Sequence, residues 1–165
     1  MIQNEKLTKL FIKNFNIKDV STLDGSNFLL EKIRTSGDKN LKNKKYYFIS
    51  IWNTMCKPCI KEMPMLDTLA MTINREDLGY IYLTENGNKM INEFRKKHKL
   101  NSRNFSFIND ADIYISSILK SHNLKNRQYP IQIIIDSVGN IKHFQIGTLE
   151  SSKDTIILNC VKKLN

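Results

Sequence analysis

Two patterns of apolar residues divide this chain. Dense aromatic and β-branched runs predict strands. Tyr46-Tyr47-Phe48-Ile49-Ser50-Ile51-Trp52 is the densest of them, and an unbroken run of that kind predicts a strand buried on both faces. Gly79-Tyr80-Ile81-Tyr82-Leu83-Thr84, residues 105–108 and residues 131–135 predict three more. Asp136-Ser137-Val138-Gly139-Asn140 reads as a turn, with residues 141–146 as the hairpin partner. Between the strands the spacing becomes helical. From Cys59 on, Ile60, Met63, Leu66, Leu69, Ala70 and Ile73 share a face. Met90, Ile91, Phe94 and His98 do so over 87–99, and Ile113, Ile115, Ile118 and Leu119 over 110–120. Ile156, Ile157, Cys160, Val161 and Leu164 do so over about 151–163.

The front of the chain is less regular. Residues 10–20 mix apolar and polar positions and lead to Leu23-Asp24-Gly25-Ser26, where Asp-Gly signals a hairpin. Phe28-Leu29-Leu30 fits a short strand or a turn of helix, and residues 34–45 read as a basic connecting loop. Strands alternating with helices and ending in a hairpin and a helix predict an α/β fold. Its centre is a mixed sheet with helices on both faces. With no repeat, low-complexity stretch or linker, residues 1–165 read as one domain. Residues 1–45 form an N-terminal extension with a β-hairpin and a basic loop, and 46–165 form the core.

Composition narrows the class. Hydrophobic residues at 41% and charged residues at 25% exclude intrinsic disorder. No apolar run approaches the roughly 18 residues of a membrane helix, so an integral membrane protein is not expected. Met1-Ile2-Gln3-Asn4-Glu5-Lys6 opens without an apolar stretch of signal-peptide length. That fits a cytoplasmic protein if Met1 is the native start, or an exported one whose leader was trimmed. The net charge is +10. Lys39, Lys42, Lys44 and Lys45 cluster in the predicted loop, and Arg95, Lys96, Lys97 and Lys99 close a predicted helix, where cations suit the dipole. No nucleic-acid motif accompanies them, so they read as solvated surface rather than a specific nucleic-acid site.

Three cysteines are too few for a disulfide scaffold. Two stand as Cys56-Lys57-Pro58-Cys59 between a predicted strand and a predicted helix. Cysteines at i and i+3 in the first turn of a helix come within disulfide reach. Unpaired N–H groups and the dipole at a helix start favour an anion, so a thiolate at Cys56 has a lowered pKa. Lys57 adds positive charge, and Pro58 lacks an N–H where the helix does not need one. A zinc site needs two further ligands, and His98, His122 and His143 are scattered. An inert buried pair sits poorly with Lys-Pro between the cysteines. Redox chemistry is the stronger reading.

The stretch from Phe48 to Pro64 resembles the thioredoxin fold, and most closely the TlpA/ResA-type thiol-disulfide oxidoreductases related to the AhpC/TSA group. Trp52 stands four residues before the first cysteine, and Glu62 and Pro64 stand three and five after the second. Phe107-Ile108-Asn109-Asp110, Tyr129-Pro130, Ile133-Ile134-Ile135-Asp136 and Gly139-Asn140-Ile141 resemble the second half of that family. The resemblance implies a thioredoxin-like fold and an exported protein. It also implies exchange of disulfides with protein substrates, no cofactor, and an upstream thiol protein as electron donor. A monomer is expected. Cys56 is then the attacking thiolate, Cys59 the resolving thiol, and Glu62 a carboxylate handling the Cys59 proton. From spacing alone, Glu62 reads as a solvated helix glutamate. Trp52, Met55, Lys57, Pro58, Tyr129 and Pro130 would form the substrate-binding region, Trp52 as a core residue flooring the cleft. Proline ahead of a buried strand fits either a trans residue that starts it or a cis bond at its mouth. The resemblance favours cis, with the Tyr129 backbone offered to an extended substrate.

The chain also departs from the family. Met55 stands where the family usually has Trp, and Ile131 where Thr is usual. Ser50 holds the place of the buried Asp of thioredoxins proper, so another group, or water, must accept the proton. Cys160 reads as a small buried hydrophobe, and Met63, Met65, Met71 and Met90 as core fillers. Two rival readings remain. A peroxiredoxin-like peroxidase needs Thr three residues before its cysteine, where Asn53 stands. The other rival is a non-catalytic binding module of the same fold.

Overall fold

The computed structural model describes residues 26–124, 128–149 and 151–165. In chain order the elements are α1 (Ser26–Thr35), β1 (Tyr46–Ile51), α2 (Lys57–Ile73), β2 (Leu78–Leu83) and α3 (Asn88–His98). They continue with β3 (Phe105–Ile108), α4 (Asp112–Ser121), β4 (Ile131–Asp136), β5 (Ile141–Ile146) and α5 (Thr155–Lys162). The five strands form one sheet in the order β3-β2-β1-β4-β5. β1, β2 and β3 run parallel, while β4 is antiparallel to β1 and to β5. This is the expected mixed sheet.

Strand alternation sends successive side chains to opposite faces, and two core clusters result. Ile49, Ile51, Ile81, Leu83, Ile131, Ile133 and Ile135 meet α1 through Leu29, Leu30 and Ile33, and α4 through Tyr114, Ile115 and Ile118. Phe48, Trp52, Tyr80, Tyr82, Phe105 and Ile134 meet α2 through Cys59, Met63, Leu66 and Leu69. Ile91 of α3 and Ile157 and Val161 of α5 close the same side. Each large apolar side chain so buried contributes about 1.5–3 kcal/mol. Arg75, between α2 and β2, donates to the carbonyls of Val161 and Leu164 at 2.7 and 3.0 Å and so ties down the end of α5.

Several expectations need correction. Phe28-Leu29-Leu30 belongs to a helix that runs on to Thr35, so the connecting loop begins after it. The Asp24-Gly25 hairpin signal lies outside the described residues. Helix α5 starts at Thr155, because Asp154 caps it by accepting the N–H groups of Ile156 and Ile157. In α4 it is Tyr114 that is buried, and Ile113 is 57% exposed. Met71 and Met90 point to solvent at 69% and 53% exposure, whereas Met63 is core. His98 is exposed and stacks on Phe94. Cys160 is only half-buried, its Sγ 3.8 Å from the Lys142 carbonyl.

Candidate active site

Strand β1 is buried along its whole length and ends at Trp52. The Trp52 N–H continues the parallel ladder by donating to the Leu83 carbonyl at 3.0 Å. Its ring is fully buried against Phe94 and Phe107, each centroid 6.1 Å away. The chain then turns through Asn53-Thr54-Met55. The Asn53 side chain accepts the Met55 N–H at 3.0 Å, an Asx turn. The Asn53 carbonyl accepts the Cys56 N–H at 3.1 Å. From β2's end, Asn86 accepts the Thr54 N–H at 3.1 Å. Asn86 thus anchors the cysteine loop, and spacing gave no hint of it.

Cys56 is the N-cap of α2, and its Sγ accepts the Cys59 N–H at 3.2 Å. A cap with an oxygen side chain usually does this job; here sulfur takes it. Cys56 and Cys59 are joined in a disulfide, their Cα atoms 5.3 Å apart. The two sulfurs differ in access. Cys56 is 9% exposed and Cys59 is 2%. Around them Met55, at 86%, and Lys57 and Pro58 are exposed. Pro58 sits in the first turn of the helix, and Pro64 lies inside it without breaking it.

Glu62 follows one turn after Cys59 and is 4% exposed. Gln132 of β4 donates Nε2–H to its Oε2 at 3.0 Å, and the Leu149 N–H donates to Oε1. Burial pushes its pKa up to about 7, against the pull of these two donors; Asp154 adds a smaller upward push. Gln132 lies opposite Ser50 in the β1–β4 register. In this region of the sheet the strand offers a hydroxyl, and the carboxylate comes from the helix above it. Ser50 itself is 2% exposed.

The register Ile51↔Ile131 brings the head of β4 beside the end of β1. Pro130 therefore lies at the same sheet end as the cysteine loop. The Tyr129–Pro130 bond is cis, the alternative that the resemblance favoured. The Pro130 carbonyl accepts the Gly147 N–H at 2.8 Å, and Tyr129 packs against both core clusters. Among the described residues, no three His, Cys, Asp or Glu side chains stand together as metal ligands would. Burial raises the Cys160 pKa.

Comparison with known proteins agrees with this geometry. Among solved structures, the exposed lipoprotein thioredoxin Etrx1 of Streptococcus pneumoniae is similar, with a TM-score of 0.54 at 21% identity. The match covers 74% of this chain and 87% of that one. StoA from Bacillus subtilis gives 0.52 at 18% identity over 72% and 86%. A thiol:disulfide interchange protein of the thioredoxin family from Chlorobium tepidum gives 0.52 at 17% over 73% and 79%. These likenesses establish the thioredoxin-like fold. A comparison with curated protein sequences finds no match. The AhpC/TSA family model matches residues 12–144, a span that takes in β1, the cysteine pair, Glu62 and Pro130, and the chain belongs to the AhpC/TSA family.

Proposed function

We propose that this protein is a thiol-disulfide oxidoreductase that exchanges disulfides with protein substrates through Cys56 and Cys59. The observation that carries the reading is the unequal pair at the head of α2: Cys56 caps the helix with its sulfur, and Cys59 lies beneath. In the dithiol form the N–H that Cys56 accepts, together with the helix dipole, favours a thiolate there. That thiolate attacks a substrate disulfide, and one substrate sulfur leaves as thiolate. Cys59 then gives up its proton and attacks Cys56 Sγ, and the second substrate sulfur leaves. Two electrons pass to the substrate sulfurs, which take up two protons, and the pair is left as the Cys56–Cys59 disulfide. A second thiol protein restores the dithiol.

Glu62 accepts the Cys59 proton. A base that titrates near 7 is matched to neutral operation. Both cysteines and Glu62 lie on one helix of one chain, so a monomer suffices. Trp52 shares one buried cluster with both cysteines and floors the cleft. Met55, Lys57, Pro58, Tyr129 and Pro130 form the face a substrate segment would meet.

Reduction of insulin disulfides by the dithiol protein tests this. Wild type should turn over, Cys56→Ser should be inactive, and Cys59→Ser should accumulate a mixed disulfide through Cys56. Rapid consumption of hydrogen peroxide without insulin reduction would replace this reading with a peroxidase.

A further inference from the structure

Gln132 has no exposed surface, yet among the described residues its Oε1 has no hydrogen-bond partner, while its Nε2 donates to Glu62 at 3.0 Å. A buried amide carbonyl left unpaired is costly and calls for an explanation. The orientation itself follows from chemistry: an ionised carboxylate only accepts, so the NH2 end must face it. Leu149, the other partner of Glu62, offers a backbone N–H and can serve only as a donor. Gln132 alone of the two carries both a donor and an acceptor.

We propose that Gln132 is the positioning residue for the Glu62 proton. It holds the carboxylate by Nε2–H and, with the amide turned over, the protonated acid by accepting its O–H at Oε1. The idle carbonyl is then the acceptor for the other half of the cycle. When Glu62 takes the proton from the Cys59 thiol, the acid O–H finds a ready partner and the side chain keeps its place. When that proton passes on to a departing substrate thiolate, the amide turns back. This rests on the proton role given to Glu62 above. Other ionisable groups near Glu62 are Cys59, one turn earlier on the same helix, and Tyr82 of β2 and Asp154 ahead of α5, whose charges interact with it. His143 of β5 feels the same Asp154. None of these stands as hydrogen-bond partner to the Glu62 carboxyl in the way Gln132 does.

The test is carboxyl carbon NMR of Glu62 against pH in the reduced 165-residue chain, wild type and Gln132→Met. Methionine keeps the length and removes both polar atoms. Both bonds are lost, but the one to the carboxylate is charge-assisted and the stronger of the two, so the Glu62 midpoint should still rise, by roughly half a pH unit to one, about a three- to tenfold change in acid dissociation. The pH midpoint of Cys59-dependent substrate release should move with it. In wild type, the Gln132 side-chain amide signals should shift with the Glu62 midpoint, a readout that needs no variant. An unmoved midpoint in Gln132→Met, or wild-type amide signals flat from about pH 5 to 9, overturns the proposal. Coupled titration in a protein that reduces no disulfide would uphold Gln132 as the partner of Glu62 while removing the oxidoreductase reading.

Discussion

Glu62 is half protonated near neutrality, where an exposed glutamate is ionised, and this has a consequence for stability. Its pKa is about 7 in the folded chain against 4.5 for the free side chain. Folding therefore favours the protonated form. The stabilisation is complete below the unfolded value and is lost as pH rises through the folded one. At about 1.4 kcal/mol per pH unit, the loss amounts to roughly 3 kcal/mol. Urea unfolding should show wild type weakening by that order between about pH 4.5 and 8. Glu62→Gln, which cannot ionise, should remove most of this slope; an equal slope in both proteins would place Glu62 in solvent. The cysteines give a second expectation at this scale. In the reduced protein, iodoacetamide should modify Cys56 well before Cys59, because Cys56 is nearer the surface and caps the helix. Peptide mapping after a short pulse would read the order, and prior labelling of Cys59 reverses the assigned roles.

Elements are held by local devices that substitutions can probe one at a time. Asp154 accepts two N–H groups at the head of α5 at 3.0 Å each. Asp154→Ala should cost about 1 kcal/mol in chemical denaturation. Gly79 in β2 faces a tighter constraint, since a Cβ there would lie 3.0 Å from the Tyr47 ring and 3.2 Å from Leu41. Gly79→Ala should destabilise by about 1–3 kcal/mol, the range for overpacking, and a neutral result would mean that the Tyr47 ring swings aside. These strands were legible because β-branched and aromatic runs leave little alternative. Helix faces were less so. In α3 and α4 the helical period holds, but the apolar face it predicts includes Met90, His98 and Ile113, all of which are exposed. A short helix on a sheet buries a narrow stripe, and pattern alone cannot say where the stripe lies by better than one residue. α1 was ambiguous for a related reason: Phe28-Leu29-Leu30 is too short a run to separate a period of two from one of 3.6.

Across the whole molecule, what sequence reveals about the site divides by distance along the chain. Cys56, Cys59 and Glu62 lie within one helix, so spacing and resemblance reached them. Asn86, Gln132 and Leu149 arrive from β2's end, β4 and the segment after β5. Only the sheet order β2-β1-β4-β5 brings them together, and no local pattern carries that order. Net charge works at the same scale. The chain carries +10, and Lys57 and Lys61 are exposed on the helix that bears the cysteines. A field of that sign attracts acidic substrates before contact and raises encounter rates, but only over about a Debye length. That length falls from about 30 Å at 0.01 M salt to about 8 Å at 0.15 M. Reduction of an acidic disulfide peptide should therefore slow several-fold in kcat/KM over that interval, while a neutral peptide of the same length keeps its rate. Equal salt dependence for the two would mean that the charge is spread too evenly to steer substrate toward Cys56.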